Sequence, residues 1–135
     1  MRVLIDTNII LDVLCGRKEF LKASATVFKL CEIKKVEGYI SALSVPNIIY
    51  IMRKELDEKK VRDILRKLTL IFKVVDLKSK DLLDAAYMDF KDYEDALQSC
   101  CAARIKAEYI IMRNTGDFAT SKIPAIPPEE LLPKL

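Results

Sequence analysis

The sequence contains no histidine, and its three glycines, Gly16, Gly38 and Gly116, stand far apart along 135 residues. Without imidazole there is no Ser-His-Asp triad, no Cys-His nucleophile pair and no ordinary zinc enzyme, so chemistry is left to carboxylates, lysine, tyrosine and hydroxyls. Glycines this scattered form neither a dinucleotide fingerprint nor a P-loop, which argues against a nucleotide cofactor. The four cysteines, Cys15, Cys31, Cys100 and Cys101, lack C-x-x-C spacing and read as reduced thiols. No apolar run approaches the roughly 18 residues of a membrane span, and the segment after Met1-Arg2 stops at Asp6, too early for a secretory leader. The chain is therefore expected to be cytoplasmic and to stay off membranes. An excess of one charge is missing too: 23 Lys and Arg against 20 Asp and Glu leave +3, so any grip on an anionic polymer must come from a local patch.

What is present is a 51% apolar chain long enough to bury one core, expected to form a single domain over residues 1–135. Val3-Leu4-Ile5 reads as a strand, with Thr7 or Asn8 able to cap a helix through Leu14. A helical pattern over Glu19–Lys35 leads to a second strand at Gly38–Ser41, and Ser44 can open a helix that accepts Pro46 in its first turn. Asp57–Leu70 predicts an amphipathic helix and Ile71–Val75 a β-branched strand. Helices follow from Ser79 or Lys80 to Met88 and from Asp92 to about Lys106. Tyr109–Met112 predicts a buried strand, Asn114-Thr115-Gly116 a turn, Ala125-Ile126 a short strand, and Pro127-Pro128 a last helical turn. Strands alternating with helices predict an α/β fold: a mainly parallel sheet of four to five strands with helices on both faces. In such sheets the working crevice lies beyond the carboxyl ends of the strands.

Asp6 directly follows the first strand, and Asp117 follows Tyr109–Met112 across a turn, which puts both on that rim. Asp95 falls in the first turn of its helix, whose Asp95, Gln98, Ser99, Ala102 face is small or polar and lets the turn approach closely. Three gathered carboxylates repel one another unless a divalent cation is present, and Mg²⁺ or Mn²⁺ favours hard oxygen ligands. Each residue also fits a local role: Asp6, Thr7 and Asn8 as a helix cap, Asp92 with Asp95 as a capping box, Asp117 as a turn residue.

These segments resemble the PIN domain family, the fold of VapC-type toxins and of many metal-dependent ribonucleases. The likeness rests on Val3-Leu4-Ile5-Asp6-Thr7-Asn8, Tyr39-Ile40-Ser41-Ala42-Leu43, Tyr93-Glu94-Asp95-Ala96-Leu97-Gln98 and Arg113-Asn114-Thr115-Gly116-Asp117-Phe118 in that order, with Pro127 to Leu132 behind. It implies a PIN-like three-layer α/β/α architecture and a metal-dependent endoribonuclease, with Asp6, Asp95 and Asp117 as metal ligands. Thr7 or Asn8 would support the first carboxylate, and Asn114 would order the last loop. Where the family commonly carries glutamate in the helix after the second strand, this chain has Asn47 as the fourth candidate catalytic residue. Asparagine offers a neutral carbonyl oxygen but no charge, so metal affinity is expected to fall, with Glu94 or Asp92 near enough to Asp95 to compensate.

Arg113 and Lys122 flank Asp117 in sequence and are the candidate phosphate contacts. The lysines and arginines of Asp57–Leu70 fit a solvated helix instead. The apolar run Ile48–Met52 suggests a homodimer face, or else a helix buried on two sides. PIN toxins are typically dimers, and an antitoxin protein is a further partner that the resemblance implies. Two functions from different classes stand side by side: an endoribonuclease, with the toxin of a toxin-antitoxin pair as one setting for it, and a catalytically weakened PIN module that binds RNA or a protein. A phosphohydrolase of free nucleotides ranks behind them for want of a phosphate-cradling loop.

Overall fold

Val3, Leu4 and Ile5 are all fully buried, as befits a strand covered on both faces of a parallel sheet. The computed structural model, which describes residues 1–135, makes this strand, β1 (Arg2–Ile5), the centre of a five-stranded sheet. Its neighbours are β2 (Glu37–Ser41) and β4 (Tyr109–Ile111), with β3 (Lys73–Val75) and β5 (Ala125–Ile126) at the edges, in the order β3-β2-β1-β4-β5. Every pairing is parallel; Leu4 lies between Tyr39 and Ile110. The chain first moves outward from β1 to β2 and β3, then crosses back to β4 and β5. That reversal opens a crevice past the carboxyl ends of β1 and β4.

Side chains of β1 alternate between two helical layers. Val3 and Ile5 face α1 (Thr7–Leu14), α2 (Leu21–Glu32), α3 (Ser44–Ile51) and α4 (Glu58–Ile71), in a core that includes Ile9, Val27, Ile48 and Leu68. Leu4 faces α6 (Tyr93–Arg104) through Cys101 and Ala102, and α5 (Ser79–Ala86) packs on α6 through Ala85, Ala96 and Leu97. At Gly38 a Cβ would come 2.6 Å from the Cys31 sulfur, so the missing side chain lets α2 settle onto β2. All four cysteines are free, and burial pushes the Cys31 thiol up to about 12, leaving it inert. No helix is long and apolar enough to cross a membrane.

The architecture follows the expected α/β pattern, with corrections at element ends. Ile71 closes α4 instead of opening the third strand, because the Phe72 N–H still bonds to the Leu68 carbonyl at 2.8 Å. The second helix begins at Leu21, not Glu19, and the sixth stops at Arg104; Lys34 and Lys106 turn the chain out with positive φ. Asn114–Gly116 runs into a 3₁₀ turn, Thr115–Phe118. Ile48–Met52 is not buried on two sides: Ile48 is core, whereas Tyr50 and Ile51 are exposed.

Candidate functional site

Asp6 is held by both strands that border the crevice. Its N–H bonds to the Ile111 carbonyl at 2.9 Å, and its carboxylate accepts the Asn8 N–H at 3.1 Å, which makes Asp6 the N-cap of α1 in place of Thr7 or Asn8. The Thr7 hydroxyl is freed to pair with Ser44 at 2.7 Å, tying α1 to α3. Burial raises the Asp6 pKa, opposed by the Asn8 and Thr7 N–H groups, the Arg113 charge and the Gln98 amide.

Asp95 occupies the third position of α6. Asp92 caps that helix by accepting the Glu94 N–H at 2.8 Å and the Asp95 N–H at 3.3 Å. A full capping box would return the Asp95 carboxylate to the Asp92 N–H, but no such bond forms, and Asp95 is left without a protein donor. Burial, then the charges of Asp92, Asp6, Asp117 and Glu94, push its pKa up to about 6. Asp117 enters from the 3₁₀ turn, which is anchored by Phe118 packed edge-on against Phe90 at 5.2 Å.

Two adjoining hollows share this acidic wall. One, of about 390 Å³, is lined by Asp6, Asn8, Asp92, Asp95, Arg113, Asn114 and Asp117 together with Met112. The other, of about 310 Å³, has Asp6, Asp92 and Asp95 in common with it and runs past Thr7, Ser44, Asn47 and Tyr50 to Glu94 and Gln98. Asp6, Asp95 and Asp117 thus border one trough, while Asn47 lies in the other lobe. As the side chains stand, no three acidic groups close on a single point. Their chemistry nevertheless suits a hard divalent cation: they are oxygen donors, and the charges that act most strongly on Asp95 are those of other carboxylates.

The proposed cations sit differently from expectation. Arg113 lines the trough, yet its guanidinium is committed behind it, 3.4 Å from Asp12 and 3.8 Å over the Phe20 ring. Lys122 lies away from the trough altogether, along a groove between α5 and α6 beside Arg104 and Asp81. Arg113 thus keeps its place beside Asp117, whereas Lys122, beyond the 3₁₀ turn, does not.

Asp12 was missed by the sequence reading. It is fully buried on α1, accepts the Ser24 hydroxyl at 2.9 Å and pairs with Arg17 and Arg113 at 3.4 Å each. An acid interrupting Ile9-Ile10-Leu11 was the available signal. Gln98 was noted only as part of a small, polar face; its carbonyl oxygen is buried beside the trough with no hydrogen-bond partner.

The PIN domain family model matches residues 2–116. The chain belongs to the PIN domain family. No curated protein matches the sequence. Among solved structures this PIN domain is similar to a chain of a toxin-antitoxin complex from Klebsiella pneumoniae, at 24% identity and TM-score 0.70 over 93% of this chain and 97% of that one. A chain of VapBC2 from Rickettsia felis bound to a promoter DNA fragment gives 13% identity and TM-score 0.70, covering 94% and 98%. VapBC-1 from nontypeable Haemophilus influenzae gives 16% and 0.68, covering 95% and 98%. At these identities the likeness establishes that the PIN domain shares their fold.

Proposed function

We propose that this PIN domain is a divalent-metal-dependent endoribonuclease that acts in the cytoplasm as the toxin of a toxin-antitoxin pair. The observation that carries the nuclease reading is Asp95, half-buried among Asp6, Asp92, Asp117 and Glu94 with no protein cation paired to it. A site that accumulates uncompensated carboxylate charge is built to be completed by a cation. Asp6, Asp95 and Asp117 would hold Mg²⁺ or Mn²⁺, which when bound polarises the phosphate and makes water nucleophilic near neutral pH. The chain's own part is to keep those oxygens in place: α1 and β4 lock Asp6, Asp92 takes over capping so that Asp95 stays free, and Phe118 pins the turn bearing Asp117. The toxin reading is supported by structural relatives that are described as toxin-antitoxin complexes, and it brings an antitoxin and a second copy of the chain as partners.

Cleavage of single-stranded and structured RNA with Mg²⁺ or Mn²⁺ tests this. Native protein should cut, and Asp6→Asn and Asp95→Asn should not; unchanged cleavage in both variants would rule the site out. Asn47 favours a second reading, a PIN module that binds RNA with little turnover, because the lobe beyond Asp6 lacks the family's glutamate. Under that reading Asn47→Glu tightens metal binding and restores cutting, whereas an unaltered metal titration counts against it.

A further inference from the structure

We propose that the lobe holding Asn47 is a subsite for one unpaired nucleobase of the RNA substrate, stacked on Tyr50 and read by the amides of Asn47 and Gln98. This rests on the ribonuclease reading and specifies how that site chooses where to cut. Three independent features of the lobe support it.

Tyr50 lines the lobe and is 65% exposed, so its ring offers an open face at the mouth. Arg53 sits 4.1 Å over that ring and donates to the Tyr50 carbonyl at 2.8 Å, giving a braced cationic plate of the kind on which splayed bases stack. Gln98 is only 8% exposed, and its carbonyl oxygen has no partner in the protein. A buried acceptor without a donor is costly unless a ligand supplies one, and the exocyclic amine of a base is such a donor. Finally, the α3 side of the lobe is neutral. Thr7 and Ser44 satisfy one another, the Ser41 hydroxyl accepts the Leu43 N–H at 3.2 Å, and Asn47 stands where a carboxylate would have repelled a base edge rich in acceptors. A volume of about 310 Å³ suits a single small group, at the low end of the ~300–1,000 Å³ typical of ligand sites. Asn and Gln side chains pair with base edges through matched donor and acceptor atoms, and Asp6 and Asp95 in the shared wall would place the neighbouring phosphate in the acidic trough.

The test is fluorescence anisotropy of the full-length chain with short single-stranded oligoribonucleotides, in Ca²⁺ to limit turnover, comparing an intact strand with strands carrying one abasic position moved along the sequence. Tyr50→Ala should weaken the intact strand by about 5- to 140-fold, from ~1–3 kcal/mol per base stacked on an aromatic ring. It should leave one abasic strand unaffected. Tyr50→Phe should restore the affinity, Gln98→Leu should lower it and alter base preference, and Tyr87→Ala, an exposed tyrosine beyond α5, should change nothing. If Tyr50→Ala and Gln98→Leu bind every strand as the native chain does while RNA is still cut, the subsite is wrong and the nuclease reading stands. Tyr50-dependent binding without cleavage keeps the subsite and sinks the nuclease reading. Failure of the native chain to bind any strand overturns the subsite. A loss of self-association in Tyr50→Ala at unchanged RNA affinity also overturns it, and assigns Tyr50 to contact with a second copy.

Discussion

Asp81 and Asp95 occupy the same position, third in α5 and third in α6, on two helices packed side by side, yet their electrostatics are opposite. Asp81 is the more deeply buried of the two, which by itself raises its pKa, but the Arg104 guanidinium at 2.9 Å and the Lys78 N–H at 3.0 Å reverse this and hold it below the usual carboxylate range. Arg104 also reaches the Asp76 carbonyl, so the pair closes the end of α6 onto the start of α5. Asp95 has acids around it and no donor, and rises to about 6. The first is a finished interaction that stabilises the fold; the second is an unfinished one that the fold tolerates. Charge satisfied within the chain marks structure, and charge left open in a crevice marks chemistry.

The sharpest way to break this contrast is at Asp95 itself. Asp95→Asn should lower RNA cleavage by at least about a hundredfold, since metal-centred stabilisation of such a reaction amounts to several kcal/mol. Cleavage assayed at saturating Mn²⁺ checks it, and a loss below tenfold would remove Asp95 from the site.

Next in size is the finished pair. Arg104→Met strands a carboxylate that is 6% exposed and should cost about 3 kcal/mol in urea unfolding. Because the folded Asp81 pKa is depressed, the pair's contribution is present above the unfolded value near 3.9 and is lost as pH falls through the folded value. The gap between native and variant should therefore be full at neutral pH and close in acid; a gap that does not depend on pH would show that packing alone is lost.

Adding divalent metal should raise the thermal midpoint of the native chain, by the equivalent of ~2.7 kcal/mol at a hundredfold excess over Kd, and raise that of Asp95→Asn much less. Equal shifts, followed by scanning calorimetry, would place the metal elsewhere.

The smallest effect has the opposite sign to the second. The folded Asp95 keeps its proton to about 6, whereas the unfolded one releases it near 4, so ionisation above that window works against the folded, metal-free chain. Asp95→Asn should stabilise the protein by ~1 kcal/mol at pH 7.5 in EDTA, once solvent screening is allowed for, and by almost nothing at pH 4. Destabilisation at pH 7.5 would mean that the carboxylate has a partner after all.

Much of this was legible in the chain. An apolar triplet ending in an acid located β1 and Asp6, because a strand buried on both faces needs an unbroken apolar run and the rim beyond it does not. Helical spacing placed α3, α4 and α6 to within a few residues. Asp57 and Asp92 cap their helices through short side chains that reach the next free N–H groups, a purely local rule. Ile71 misled, since its β-branched preference is weaker than the hydrogen bond that carries α4 to its end. Lys122 misled for a different reason: it is near Asp117 in sequence but parts from it beyond the 3₁₀ turn, whereas Arg113 stays beside the trough. Asp12 was harder to read because one of its two arginine partners, Arg113, comes from the far end of the chain.

The sequence by itself determined the class of fold, the order of its strands and helices, and the type of chemistry available, because periodicity, turn residues and the absence of histidine are properties of the chain alone. Tertiary structure alone decided which acids are spent and which are free. Whether a carboxylate meets a guanidinium, as Asp81 meets Arg104, or other carboxylates, as Asp95 meets Asp6 and Asp117, turns on groups brought from elsewhere in the chain, and Coulomb interactions are governed by distance in space and by burial.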